Sequence, residues 1–408
     1  MNMNGRCDVA IIGGGMTGAA LAAALAGGPL RVAVVEAEAF DAPGQVSFDR
    51  RTVALTYSSR WIFSAMGAWP GIAKTACPIH RIEVSQRGWP GAAHLHCRDA
   101  GKDALGYVAA HRAVGEALRQ IITAAGNITV LCPARAQSLS VAADTVTVSG
   151  DGALQTLTAS LAVIADGGRS SLLDDAGLRR TVKHYRESAL VTMVATDRGH
   201  RNCAHERFTA DGPLALLPVA EAQFAVAWTL PHARAEQHAA LDDAGFTKAL
   251  QETFGHRAGR FHSPRPRHVY PLTLATCAPP ARARIALAGN AAHTVHPVAG
   301  QGFNLALRDV ADLCSVLTRA HAAGGDIGGT RTMARYAAAR RRDTFAVTTF
   351  TDGLVTAFTN PAPPAAAARA LVLGALNLLP PARRALLRKT MGLGPGQLWL
   401  REFAGGRV

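Results

Sequence analysis

The chain has 408 residues, of which 49% are hydrophobic and 18% charged, and this excludes a disordered protein and suits more than one domain. Its net charge of +14 indicates anionic partners. Because no tract interleaves aromatic with basic residues, we expect an anionic cofactor or membrane surface rather than nucleic acid. The seven cysteines contain no Cys-x-x-Cys pair, which favours reduced thiols in a cytoplasmic protein over disulfides or a zinc knuckle.

No apolar run predicts a membrane-spanning helix. A span needs roughly 18 consecutive apolar residues, and the nearest candidate, residues 365–379, is interrupted by Arg369. The alanine-rich segment 19–26 resembles a signal-peptide core, but Asp8 and a triple glycine precede it. We therefore predict no transmembrane helix.

The N-terminal 40 residues carry the pattern strand, glycine turn, helix, strand. Residues 8–12 are short, apolar and β-branched, and Gly13, Gly15 and Gly18 follow as Gly-x-Gly-x-x-Gly. Such glycines permit a tight turn, close approach of a pyrophosphate, and packing of helix on strand. Glu36 ends the second strand, where a carboxylate accepts hydrogen bonds from an adenosine ribose. The segment predicts a parallel βαβ unit that binds FAD or NAD.

The rest of the chain contains predicted elements of a parallel α/β type and of an antiparallel β type. Buried strands of the parallel type are predicted at 160–168 and 284–293, and helices at 111–126 and from about Gly302 to His321. Between about 185 and 275 the chain is rich in short β-branched strands, which predicts an inserted antiparallel sheet. After residue 330 the chain is predicted to be helical. The fold class is therefore α/β with an inserted, mainly antiparallel β-domain.

The segment GNAAHTVHPVAGQGFNLALRD, residues 289–309, combines features of three kinds of site. His293 and His296 have the spacing of a metal-binding pair, but no third ligand is evident and Pro297 interrupts a helix, so we expect no metal. The glycines and the following helix instead indicate a turn that a ligand approaches closely.

Two motifs distinguish between FAD and NAD. VIADGGRSS (163–171) resembles the Asp-Gly motif of the flavin-dependent aromatic hydroxylases, and residues 286–309 resemble their Gly-Asp motif and Pro-x-x-Gly-x-Gly turn. Segments 47–69, 206–219 and 336–358 are similar to the FAD-dependent ubiquinone-biosynthesis hydroxylases, and most of all to the 2-polyprenyl-6-methoxyphenol hydroxylases. The resemblance covers nearly the whole chain.

The resemblance implies a Rossmann-like FAD-binding domain at 1–70, 106–180 and 281–330, a substrate domain at 71–105 and 181–280, and a C-terminal helical segment at 331–408. It also implies a set of FAD contacts, which comprises Gly13, Gly15, Gly18, Glu36, Arg51, Arg112, Asp166, Asn290, Pro297, Gly300, Gln301, Gly302 and Asn304.

Several of these residues carry specific implied roles. Arg112 would reach the pyrophosphate, Asp166 would contribute to FAD and nicotinamide nucleotide binding, and Asn290 would face the ribityl chain. Asn290 replaces the family's aspartate, and it keeps an acceptor while losing a negative charge. Leu173 stands where many relatives have arginine, so no phosphate contact is expected there.

The implied reaction starts with reduction of FAD by NADPH or NADH. The reduced flavin reacts with O₂ to form a C4a-hydroperoxide, which transfers OH to a prenylated phenol in ubiquinone biosynthesis. The flavin carries the chemistry, so no catalytic side chain is assigned. The helix from Gly302 would direct its positive end at the reduced flavin, and Gly302→Val is expected to remove FAD.

Three alternatives remain open from the sequence: hydroxylation of a soluble phenol, hydroxylation at another position of the quinone ring, and a non-catalytic flavin-binding subunit. Because the implied substrate is apolar, we expect peripheral contact with the inner membrane or membership of a ubiquinone-biosynthesis complex. The apolar and then basic segment 370–389 fits surface contact. The ARRR run at 339–342 is expected to form a solvated helix face, and the tryptophans 61, 69, 89 and 228 to lie in cores.

Overall fold

The computed structural model describes residues 5–39, 51–168, 171–219, 222–296, 298–359 and 362–393. Within them lie three β-sheets and eleven α-helices. All seven cysteines fall in these ranges as free thiols.

The first sheet is built on five parallel strands in the order β19-β11-β1-β2-β8, with an antiparallel strand β18 at one edge and a hairpin, β9 and β10, attached to β11. Its strands are β1 (Arg6–Ile12), β2 (Val32–Val35), β8 (Ile128–Leu131), β9 (Ala134–Val141), β10 (Val146–Gly152), β11 (Thr156–Ile164), β18 (Ala281–Arg282) and β19 (Ile285–Leu287). The predicted buried strands near residues 8, 31, 160 and 284 are confirmed.

Helices cover this sheet, which explains the continuous apolar runs of its strands. The helices packed on it or beside it are α1 (Met16–Leu25), α4 (His111–Ala124), α5 (Leu172–Asp175) and α8 (Gln301–Ala322). The carboxyl ends of parallel strands meet at one edge. Gly13, Glu36, Asp166 and Asn290 follow β1, β2, β11 and β19, so the topology gathers the predicted site residues there.

The second sheet has nine strands and is antiparallel except for the β5–β13 pair. Its strands are β5 (Arg81–Gln86), β6 (Ala92–His96), β12 (Arg180–Thr196), β13 (Cys203–Phe208), β14 (Pro213–Val219), β15 (Gln223–Pro231), β16 (Phe261–His262), β17 (His268–Cys277) and β20 (His293–Thr294). Two helices, α6 (His232–Ala240) and α7 (Asp243–Phe254), cover one face through a core that includes Leu190, Trp228 and Phe246. We call the opposite face, which is directed toward the first sheet, the inner face.

A small antiparallel sheet of β3 (Thr52–Thr56), β7 (Gly106–Ala110) and β4 (Cys77–Ile79) joins the two large sheets. Helices α2 (Tyr57–Ala65) and α3 (Trp69–Ala73) pack beside it. Thr56 caps α2, because its side chain accepts a hydrogen bond from the Ser59 amide.

The C-terminal part is helical as predicted, with α9 (Thr330–Thr359), α10 (Pro363–Leu378) and α11 (Pro380–Thr390). In the described part of the chain, no single helix has the length and apolar composition to cross a membrane. The pair α10 and α11 meets that test only when taken together, and it is bent by 101° at the break.

Candidate functional site

A cavity of about 720 Å³ lies at the edge where the parallel strands end. This is within the roughly 300–1,000 Å³ typical of small-molecule and cofactor sites. Eight of the predicted contact residues line it: Gly13, Gly15, Glu36, Arg51, Asp166, Asn290, Gly300 and Gly302. The cavity continues between this edge and the inner face of the second sheet.

The glycine turn after β1 is held by close packing of backbone on backbone. Gly13 has a φ of +101°, and a Cβ there would lie 2.7 Å from the Ala165 carbonyl oxygen. A Cβ on Gly18 would overlap the Gly13 carbonyl oxygen, so α1 packs against the turn only with glycine at that position. Gly15 precedes α1, whose N-terminus has no side-chain cap and points its backbone N–H groups at the cavity edge.

Glu36 is fixed beside this turn. One carboxylate oxygen accepts a hydrogen bond of 2.5 Å from the Gly14 amide, and the other accepts one of 2.9 Å from the Glu38 amide. Each oxygen has a further lone pair, so the carboxylate can still accept from a ligand hydroxyl.

The turn before α8 is held by side chains. Asn304 uses all four of its hydrogen-bonding positions: its oxygen accepts from the Thr56 amide and the Ser59 hydroxyl, and its nitrogen donates to the Ala54 and Gly300 carbonyls. This fixes Gly300, whose φ of +59° favours glycine. Among the described residues, a Cβ on Gly302 would meet only Val295 at 3.7 Å, an ordinary contact, so their packing does not require glycine there.

A buried ionic network holds the other end of this loop, at Gly289 after β19. Asp309 accepts hydrogen bonds from the Gly289 amide, from Nε2 of His293 and from Nε of Arg340. Arg340 also pairs with Asp312 and Asp343. Burial alone would raise the pKa of Asp309, but His293 and Arg340 outweigh it and hold that pKa below its usual range.

The prediction that the ARRR run forms a solvated helix face is wrong for Arg340, which belongs to this network. Arg340 is 1% exposed and lies inside the protein, whereas Arg341 and Arg342 are exposed as expected. A helix buries one side, so three consecutive arginines cannot all share a solvated face.

The two histidines of the segment 289–309 bind different partners. His293 pairs with Asp309, whereas Nδ1 of His296 accepts a hydrogen bond of 3.1 Å from the Val298 amide. Burial lowers the pKa of His296 to about 4, so this imidazole is neutral at physiological pH. The Tyr185 ring contacts it edge-on.

The opposite wall of the cavity is the inner face of the second sheet, and it is mostly apolar. The Arg51 guanidinium stacks 5.6 Å from the centroid of the Tyr270 ring, which also lines this wall. The apolar lining residues of these strands are Ala189, Val191, Leu217, Ala225, Ala227 and Leu272. None of the four tryptophans considered lines the cavity: Trp228 lies on the opposite face, Trp61 and Trp69 pack on the first core, and Trp89 is exposed.

Four predicted contact residues do not line the cavity. Gly18 and Asn304 shape its turns, Gln301 is buried at the start of α8, and Arg112 is exposed and pairs with Glu116. Pro297 lies outside the described residues. Other lining residues were not predicted: Thr17 is a variable position of the glycine motif, and His111, Arg135 and Tyr270 belong to no motif. The sequence offered one signal for His111, because this residue begins the predicted helix that contains Arg112.

Comparison with known proteins gives consistent matches. A family model described as an FAD binding domain matches residues 6–351. Ubiquinone hydroxylase UbiL of Rhodospirillum rubrum is 36% identical over 95% of this chain and 91% of its own length. The 3-demethoxyubiquinol 3-hydroxylase of Escherichia coli is 29% identical over 95% of this chain and 98% of its own. Mitochondrial ubiquinone biosynthesis monooxygenase COQ6 of Xenopus tropicalis is 30% identical over 93% of this chain and 92% of its own.

Solved structures support the fold. The p-nitrophenol 4-monooxygenase PnpA from Pseudomonas putida superposes with a TM-score of 0.78 at 19% identity, over 95% of this chain and 98% of that one. The predicted α/β fold with an antiparallel insertion is confirmed. With the family match and the relatives, it follows that the chain is an FAD-dependent aromatic monooxygenase and belongs to the family of ubiquinone-biosynthesis hydroxylases.

Proposed function

We propose that this protein hydroxylates the ring of a prenylated phenol during ubiquinone biosynthesis, with NADPH or NADH as the reductant. FAD supplies the redox chemistry and the activation of O₂ when bound, and the protein orients the reactants and excludes water. One observation carries the proposal: a single cavity is lined on one side by Gly13 and Glu36 and on the other by apolar strand residues such as Leu217. That combination suits a dinucleotide beside an aromatic substrate.

The residues present fit FAD. The uncapped start of α1 and the turn at Gly13 and Gly15 would hold the pyrophosphate, and Glu36 the adenosine ribose. Asp166 and Asn290 line the middle of the cavity. Gly302 supports the placement of the isoalloxazine, because packing among the described residues does not call for a glycine there. The start of α8 would direct N–H groups at the reduced flavin.

The inner face of the second sheet would bind the substrate ring and its prenyl chain. Its small side chains, among them Ala189, Ala225 and Ala227, leave room for a flat ring. We accordingly retain the division into FAD-binding segments 1–70, 106–180 and 281–330 and substrate segments 71–105 and 181–280.

The test uses the FAD-loaded protein with NADPH or NADH and two matched phenols, 2-geranyl-6-methoxyphenol and 2-methoxyphenol. We expect a hydroxylated product from the prenylated phenol and at least about tenfold less from the other, because burial of the prenyl chain supplies binding free energy. Equal turnover of both would favour a soluble-phenol hydroxylase. Bound FAD that neither nucleotide reduces, even with phenol present, would indicate a non-catalytic flavin subunit. The position of the new hydroxyl identifies the ring site.

The surface formed by α10 and α11 supports contact with an anionic membrane, a peripheral location suited to a prenylated substrate. Leu371, Val372 and Leu378 are 74%, 61% and 80% exposed. On α11, the helix that follows, Arg384, Arg388 and Lys389 are exposed. Apolar and basic side chains together are typical of helices that lie on anionic lipid. The Asn377 side chain pairs with the backbone of β6 at Ala92 and His94, so this surface is fixed to the second sheet.

Co-sedimentation with vesicles tests this surface. We expect salt-sensitive binding to vesicles of phosphatidylglycerol and phosphatidylcholine, and weak binding to phosphatidylcholine alone. The double variant Leu371→Asp and Leu378→Asp should lose binding, whereas Val141→Asp, which changes an exposed apolar residue on β9, should retain it. Absence of salt-sensitive binding would contradict membrane contact and favour recruitment by a biosynthetic complex.

A further inference from the structure

Glu206 is an acidic residue on β13 whose side chain lies on the apolar inner face of the second sheet. In the strand register it stands opposite Val84 on β5 and Ala215 on β14. The same row continues through Ala227 on β15 to Val191 on β12. Directly opposed residues share a face of a sheet. Because Ala227 and Val191 line the cavity, Glu206 lies on the face that bounds the site, two strands away from Ala227 and just outside the lining residues.

The residues on either side of Glu206 are apolar. Ala204, two residues before it on the same face, packs in a cluster with Val108 and Ala225. Phe208, two residues after it, packs against Val298, the residue that begins the turn before α8. Glu206 therefore stands between the sheet wall of the cavity and the turn that bears Gly300.

The carboxylate of Glu206 has no hydrogen-bond or ion-pair partner in the part of the chain that the structure describes. Its ionisable strand neighbours project to the opposite face: His205 pairs with Glu83, and Arg207 donates to the Thr253 carbonyl. Burial raises the pKa of Glu206 to about 7, and no nearby charge contributes to the shift. Glu206 is half-buried, and an unpaired carboxylate in an apolar wall destabilises a fold when it ionises; such groups concentrate at functional sites.

We propose that Glu206 accepts a hydrogen bond from the phenol hydroxyl of the substrate and takes its proton as the ring is hydroxylated. The phenol O–H bond breaks, its electron pair stays on the phenol oxygen, and the proton passes to the Glu206 carboxylate and then to water as the product leaves. The phenolate so formed donates electron density into the ring, which favours attack by an electrophilic oxygen. The attacked ring carbon then loses its hydrogen as a proton, which restores the aromatic ring and the phenol O–H. This inference rests on the proposed function and adds a proton acceptor to it.

The test measures binding as well as turnover. The probes are 2-geranylphenol and its methyl ether, which has no hydroxyl proton to donate. Their dissociation constants are measured from the fluorescence of FAD-loaded protein without reductant. Wild type should bind the phenol at least about tenfold more tightly than the methyl ether, as expected for a hydrogen bond to a charged acceptor. Glu206→Leu should abolish that preference, and Glu206→Gln, which keeps an acceptor oxygen, should retain part of it.

Hydroxylation of 2-geranylphenol in a single turnover should fall about 10²–10⁴-fold in Glu206→Gln at unchanged FAD content. Glu83→Gln is the matched control, because it removes the same charge from the adjacent strand on the opposite face, and it should match wild type. If Glu206→Leu or Glu206→Gln kept the full preference and rate, the inference would be overturned while the proposed function stood. If FAD-loaded wild type bound neither probe and hydroxylated no phenol, both would be overturned.

Discussion

The turn after β1 and the loop between β19 and α8 form one side of the cavity, and they are held by different means. The turn after β1 is held by glycines that pack backbone against backbone, since a Cβ on Gly13 or Gly18 would collide with a carbonyl group. The loop before α8 is held by side chains, through Asn304 at Gly300 and Asp309 at Gly289. A glycine motif alone therefore does not indicate a ligand. Gly18 is needed by the fold itself, whereas Gly302 has no packing role among the residues that the structure describes and points to what the cavity binds.

The largest effect is expected from Gly18→Ala. Its new methyl group would overlap the Gly13 carbonyl and separate α1 from the turn, at a cost above about 4 kcal/mol in the free energy of unfolding. Thermal denaturation should show loss of the folded state or a large fall in Tm. Gly126→Ala is the control, because no atom would lie within 4 Å of the added methyl group. A folded Gly18→Ala protein with the wild-type Tm would refute close packing as the means that holds this turn.

Arg340→Met tests the turn at Gly289, where the loop before α8 begins. Removing the guanidinium leaves the carboxylates of Asp309 and Asp312 buried without their shared partner, which should cost about 3–5 kcal/mol. Urea denaturation measures the change, and Arg341→Met on the exposed side of α9 should change stability by less than about 0.5 kcal/mol. Equal effects of the two substitutions would show that the network does not support the turn.

Gly302→Val tests whether the glycine at position 302 serves ligand binding rather than folding. The valine side chain would extend into the cavity, so the Kd for FAD should rise at least about 100-fold, or about 2.7 kcal/mol, while the protein stays folded. Flavin absorbance of the purified protein and circular dichroism measure the two properties. Gly353→Val carries the same β-branched substitution at an open position of α9 and should keep FAD. Full flavin content in Gly302→Val would mean that the flavin does not approach this helix.

The smallest expected effect contrasts the paired carboxylate of Asp309 with the unpaired, half-buried carboxylate of Glu206. Because burial raises the folded pKa of Glu206 to about 7, above the ordinary value of 4.5, its unfavourable contribution appears as pH rises from about 4.5 to 7. Glu206→Gln should therefore raise Tm by about 1–3 °C at pH 8 and by less at pH 5. A lower Tm at pH 8 would indicate that the carboxylate has a stabilising partner.

The sequence was most informative where backbone geometry dictates residue type. The turn at Gly13, Gly15 and Gly18 and the strand end at Glu36 were predictable because few residues satisfy a βα turn. The apolar periodicity likewise predicted the parallel strands and the antiparallel insertion, which the structure confirms. These features depend on residues that are close in sequence, so a short sequence motif is enough to predict them.

The remaining parts of the site depend on contacts between distant segments. The position of Glu206 on the cavity face follows from the register of five strands, and the burial of Arg340 follows from how α9 packs on α8. Neither is visible in a local pattern, and the ARRR run suggested the opposite for Arg340. Arg112, predicted from resemblance, pairs with Glu116 at the surface, and its contact with FAD stays a prediction.

The origin of the oxygen in the product decides whether this protein is the phenol hydroxylase that we propose. FAD-loaded protein is incubated with NADPH or NADH and 2-geranyl-6-methoxyphenol under ¹⁸O₂, and the product is analysed by mass spectrometry. We predict one ¹⁸O atom in each molecule of a ring-hydroxylated product, formed only when both FAD and the reductant are present. A product that carries oxygen from water, or oxidation of the nucleotide without any hydroxylated phenol, would contradict the proposed function.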